Sequence, residues 1–93
     1  MTVETTRYDT ADYLKTREDI AAYLEAVFED GDPTLITHAL GVVARSEGMT
    51  EVARVAGVTR ASLYKSLSAE GNPDFETVLR VVRALGFKLT IAA

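Results

Sequence analysis

The stretch Glu51–Leu67, EVARVAGVTRASLYKSL, leaves this chain few ways to fold. Val52, Ala56, Val58 and Leu63 form an apolar pattern of helical spacing, but Gly57 interrupts it early. Glycine takes a left-handed backbone without steric cost, so the pattern predicts a short helix that stops at Gly57. Thr59 then offers a side-chain oxygen to the free N–H groups of a second helix. Val58 and Leu63 flank that cap at the positions of a hydrophobic staple. Ala53 is small where the second helix has to cross the first. The expectation is two short helices folded tightly across one glycine, with the rest of the chain packed around them. One position departs from it: Ser66 stands where an apolar residue is expected, with Leu67 beside it.

The flanking sequence is also helical in period. Residues 1–7 read as a polar tail. Asp9 or Thr10 is placed to cap a short helix reaching about Lys15, and Thr16 to cap the next. In that next helix Ile20, Tyr23, Leu24, Val27 and Phe28 make one apolar stripe. Gly31 ends it, Asp32 caps a third helix and Pro33 suits its first turn. Leu35, Ile36, Ala39, Leu40 and Val43 are its expected inward face, with an end near Ser46. Gly48 breaks the chain and Thr50 is the expected start of the helix before Gly57. After a helix running to about Ser68, Gly71, Asn72 and Pro73 mark a loop. Phe75, Val78, Leu79, Val82 and Leu85 then define a last amphipathic helix ended by Gly86. Phe87, Leu89 and Ile91 alternate with Lys88 and Thr90, the period of a short strand. A lone strand has no stability of its own, so pairing with a second copy of the chain is the natural outlet.

A chain of 93 residues with 47% apolar and 26% charged side chains suits one modest globular core. It contains no cysteine, which removes thiol catalysis, disulfides and Cys-ligated zinc and fits a reducing cytoplasm. The polar start lacks the apolar run of a secretory signal, and no stretch approaches a membrane span. The net charge of −4 is unevenly distributed. Residues 1–49 hold ten acidic and four basic side chains; residues 50–93 hold four acidic and six basic. This asymmetry points to two different partners. Enzyme chemistry finds no footing. His38 is the one histidine and has no serine–carboxylate arrangement around it. Asp30 to Gly41 begins like a calcium loop but ends on glycine where a bidentate glutamate belongs. No phosphate loop is present, and neither a metal nor a cofactor is expected.

Two short helices across a glycine turn form the DNA-reading helix-turn-helix, whose second helix enters the major groove. Its outward positions are Thr59, Arg60, Ala61, Tyr64, Lys65 and Ser68. Arg60 is placed to pair bidentately with guanine, and Lys65, Tyr64 and Thr59 to reach phosphates or bases. Glu51, near the start of the first helix, is expected to turn away from the phosphate backbone.

The pattern resembles the lambda-repressor-like, or Xre, class, in which a helix-turn-helix is followed by a loop and a helix of the form seen in NPDFETVLRVVRALGFKL, Asn72 to Leu89. Within it, Tyr8–Met49 and Val52–Gly86 resemble the HigA-like antidotes of addiction modules, encoded beside a RelE/ParE-like toxin. The similarity extends over about residues 8–92. It implies an antitoxin that binds its toxin directly and represses its own operon through double-stranded operator DNA. Because such toxins are basic as a class, the acidic first half becomes the expected toxin surface. Its candidates are Tyr8, Asp9, Asp12, Tyr13, Glu18, Asp19 and Glu25, with Glu29 and Asp30 beside them; Tyr23 belongs rather to the core.

The expected fold is therefore all-α: a lambda-repressor-like domain of about five to six helices. It divides into a tail (1–7), an acidic helical extension (8–31), and a helix-turn-helix domain (32–93) closing on a short strand. A homodimer is expected, since one short helix reads only a half-site. The alternatives are a standalone Xre-type regulator without a toxin, and a protein-interaction module whose helix-turn-helix is structural.

Overall fold

The computed structural model describes residues 14–92. They hold five helices: α1 (Arg17–Asp30), α2 (Pro33–Glu47), α3 (Met49–Ala56), α4 (Arg60–Ser66) and α5 (Phe75–Ala84). The short helix expected from Asp9 or Thr10 to about Lys15 lies mostly outside the described residues, and Leu14 and Lys15, at its expected end, have no regular secondary structure.

Local chemistry sets the helix ends. Thr16 accepts the Asp19 N–H at 3.0 Å, and the Asp19 carboxylate accepts the Thr16 N–H at 3.2 Å, a reciprocal capping box. α1 stops at Gly31, whose φ of 82° is left-handed. Asp32 accepts the Thr34 N–H at 3.0 Å and Pro33 fills the first turn of α2. Gly48 ends α2 and leads straight into α3 without a side-chain cap, so α3 begins at buried Met49, one residue before the expected Thr50.

α2 runs through the middle of the core. Ala39, Leu40, Val43 and Ala44 on this helix are fully buried, as are Leu63 of α4 and Val81 of α5. α1 packs on α2, while α3 packs on α2, α4 and α5. Ile20, Leu24 and Val27 of α1 are buried, and Tyr23 and Phe28 lean on the same cluster. Burial raises the pKa of the Tyr23 phenol above its ordinary value, in keeping with a core position.

Four expectations need correction. Leu35 is exposed rather than inward, because the first turn of α2 projects past the core. In α5 the buried face centres on Val81, Val82 and Leu85; Phe75, in the first turn, is 70% exposed, and Val78 and Leu79 are half-buried. The strand expected over Phe87–Ile91 is absent: residues 87–92 have no regular secondary structure. Among the described residues of this one chain, no second strand is available to pair with it. α4 also ends at Ser66 rather than Ser68, and buried Leu67 does the packing that Ser66 does not.

One long-range clamp joins the two ends of the described chain. The Arg17 guanidinium donates to the carbonyl oxygens of Leu85, at 3.4 Å, and of Gly86. Its carbon lies 4.3 Å from the centre of the Phe87 ring. A cation therefore sits on the carbonyl end of α5, where the helix dipole favours positive charge.

The cap of α5 makes stability depend on acid. Asp74 accepts the Thr77 N–H at 2.8 Å, and that bond holds its carboxyl below the ordinary carboxylate value. A carboxylate with a lowered folded pKa contributes stability that is present above its unfolded value, near pH 4, and is lost as pH falls through the folded value. Asp74→Asn keeps an acceptor but cannot titrate. Urea melts between about pH 2.5 and about pH 7 are expected to show a shallower acid loss in this variant than in the parent.

Candidate functional site

The site is built on the turn between α3 and α4. Gly57 has a φ of 80°, and its N–H and that of Val58 both return to the Ala53 carbonyl, at 2.9 and 3.1 Å. Arg80 of α5 donates to the Ala56 carbonyl at 3.1 Å, and its other donors hold Glu76 at 2.9 and 3.2 Å. The guanidinium thus caps the end of α3 and fixes the point from which α4 departs. A Cβ added to Gly57 would stand 3.0 Å from it.

α4 starts where Thr59 accepts the Ser62 N–H at 3.0 Å. Leu63 and the following Leu67 are its buried anchors. Thr59, Arg60, Ala61, Tyr64, Lys65 and Ser68 are all exposed, so the structure brings the six expected outward residues to the surface together. Their side chains differ in freedom. Thr59 spends an acceptor on the cap, and the Ser68 hydroxyl donates to the Lys65 carbonyl at 2.9 Å. Arg60 lies over the Tyr64 ring, 5.3 Å from its centre, with a long 3.5 Å contact to the phenol oxygen. Stacking of this kind holds the guanidinium plane at low cost while leaving donors open.

Electrostatics separate the cations of this region. Among the described residues the ion pairs are Arg54–Glu51 at 2.5 Å and Arg80–Glu76 at 2.9 Å. Glu51 turns to Arg54, one helical turn further on, and that hydrogen bond lowers its pKa from the ordinary value. Arg54 is neutralised in the same contact. Arg60 and Lys65 of α4 enter neither pair.

The acidic face lies on α1. Glu18, Asp19, Glu25, Glu29 and Asp30 are exposed there. Asp19 is occupied locally by its capping box and by the Lys15 N–H at 3.3 Å. Glu25 and Glu29 share one face across a helical turn, a repulsive pair unless a cation meets them. Tyr8, Asp9, Asp12 and Tyr13 lie outside the described residues. His38 is exposed on α2, beside an open hollow that Leu35, Arg45, Leu67 and Gly71 also line.

The sequence reading did not find Arg17 or Arg80, the two cations that hold helix ends. Each acts on a carbonyl far along the chain, and periodicity carries no trace of such a contact.

These features define a class: a small all-helical protein whose exposed helix faces differ in charge. Over residues 4–93 the chain matches the family described as "probable addiction module antidote protein", and it belongs to that family. It is 40% identical over 91 residues to a protein of Haemophilus influenzae described only as an uncharacterized protein, covering 98% of this chain and 94% of that one. No solved structure matches. Among the described residues, no helix is long and apolar enough to cross a membrane.

Proposed function

We propose that this protein is the antitoxin of a type II addiction module, binding a RelE/ParE-like toxin directly and repressing its own operon by binding operator DNA. The observation that carries the DNA half is α4 with its flanks: Leu63 buried within the helix, Leu67 buried at its end, a threonine cap, and Arg60 and Lys65 exposed on the outer face. In this reading α3, the turn and α4 form an Xre-type helix-turn-helix, and α4 lies in the major groove with Arg60 on guanine. Family membership supports the antidote half, and the acidic face of α1 suits a basic partner by charge complementarity. The active form is a homodimer whose two α4 helices read half-sites one turn of DNA apart.

A paired experiment tests the two halves separately. The neighbouring toxin-like frame is co-expressed with the parent or with Arg60→Ala, and a mobility shift is run on the promoter. The parent is expected to restore growth and shift the promoter. Arg60→Ala is expected to restore growth but to weaken the shift by about tenfold to a hundredfold, the loss of one bidentate base contact. A normal shift by the variant removes Arg60 from the reading helix. Failure of the parent to restore growth removes the antitoxin reading while leaving the repressor intact. Association with the toxin is further expected to slow as salt rises, because surface charges steer encounter.

A further inference from the structure

We infer that residues 87–91 form the dimer interface, as a two-stranded antiparallel ribbon centred on Leu89 and its copy. The inference rests on the dimeric reading above and is independent of toxin and DNA. Four observations lead to it.

The first is the backbone. The Phe87 N–H closes on Val82 at 3.1 Å, but beyond it residues 88–92 make no backbone hydrogen bond among the described residues. A row of unpaired N–H and C=O groups is a template for another strand. The second is the side-chain pattern. Phe87 and Leu89 are half-buried against the core, Lys88 and Thr90 are exposed, and Ile91 is 97% exposed. The segment therefore presents an apolar edge that its own core covers only at one end.

The third is self-complementarity. In a two-fold antiparallel register through Leu89, Leu89 faces its copy, Phe87 faces the partner's Ile91, and Lys88 faces the partner's Thr90. All apolar side chains then fall on one side, and the two lysines do not face each other. Aromatic–β-branched pairs are among the favourable cross-strand neighbours. The register also gives Ile91, bare in the single chain, a seat on the partner's Phe87, which is packed against the partner's core. The fourth is the groove alongside. Leu24 and Phe28 of α1 with Val82, Phe87 and Leu89 line an open hollow next to the tail, and Glu25 and Glu29 of the acidic face also line it. A bare two-stranded ribbon is marginal in water. An apolar wall beside it supplies the burial that such a ribbon lacks.

The test is oligomeric state, using the whole chain. Sedimentation equilibrium of the parent is expected to give a dimer. Ile91→Asp and Leu89→Asp each place a carboxylate in the ribbon and are expected to raise the dissociation constant by about a hundredfold. The far-UV circular dichroism of Ile91→Asp is expected to match the parent's, since Ile91 is 97% exposed, and this variant separates loss of the interface from any loosening of half-buried Leu89. Because the chain has no cysteine, Leu89→Cys adds a single thiol. Mild oxidation is expected to crosslink it to its copy in a stoichiometric dimer, whereas Thr50→Cys, exposed on α3, stays uncrosslinked. A parent that is monomeric overturns both this interface and the dimeric reading. A dimeric parent whose two aspartate variants stay dimeric, and whose Leu89→Cys does not crosslink, overturns the interface alone.

Discussion

Leu63→Ala is expected to lower the free energy of unfolding by about 2–5 kcal/mol, read from urea melts of the purified protein. Leu63 is fully buried and is the one buried residue within the seven of α4. Truncation removes both its burial and its packing, and the neighbouring backbone can collapse only in part. The loss should reach past stability, because Leu63 positions α4 against α3. In a mobility shift at a temperature where the variant remains folded, the promoter binding proposed for α4 is expected to weaken although no outward residue has changed. A stability equal to the parent's would mean that α4 is held mainly from its ends, by the Thr59 cap and Leu67.

Gly71→Ala is expected to be the most damaging single-methyl change, costing about 3 kcal/mol or somewhat more. An added Cβ would stand 2.1 Å from the Ser66 carbonyl oxygen and 2.6 Å from that of Lys65. Both are backbone atoms, so the end of α4 itself has to move. The Gly71 N–H also donates to the Ser68 carbonyl at 2.9 Å, and the shift endangers that bond. Gly31→Ala is the matched comparison: its φ is +82°, but a Cβ there meets nothing within 4 Å. It should cost only about 1 kcal/mol, the price of a left-handed backbone for a residue with a side chain. If the two variants melt alike, close approach at Gly71 is not what selects glycine there.

The contrast between these glycines shows what the sequence makes legible. Helix starts are readable where their causes are local: Thr16, Asp32 and Thr59 each accept from a backbone N–H two or three residues on, as Asp74 does too, although its cap is not among the expectations. Gly71 reads only as a turn signal, since the residue pattern marks a turn without showing how closely the chain folds back on the Lys65 and Ser66 carbonyls at the end of α4. The α5 stripe was read with its phase slightly off because the pattern gave weight to Phe75, while the fold ends the core short of that first turn and buries Val81 instead. The tail shows the converse. Its alternation was visible, but alternation names a strand's faces and not its partner, and within the described chain none is present. For the site, helical period about Leu63 makes Arg60, Ala61, Tyr64 and Lys65 outward, while Ser62, also exposed, is not among the expectations. What no period could show was which cations are committed elsewhere: Arg54 to Glu51, Arg80 to Ala56 and Glu76, Arg17 to Leu85 and Gly86.

α4 meets the rest of the protein through very little of its circumference. Leu63 and the adjoining Leu67 carry its attachment, and Thr59 secures its start. Of the remaining positions, Ser66 is half-buried, and Arg60, Ala61, Ser62, Tyr64 and Lys65 are exposed. Substitutions there are nearly free in stability, since surface changes away from caps and cores fall within about 0.5 kcal/mol. Under the DNA-reading role proposed for α4, foldability and address are written in separate letters of the same helix, and descendants of this chain can exchange the second set without renegotiating the first.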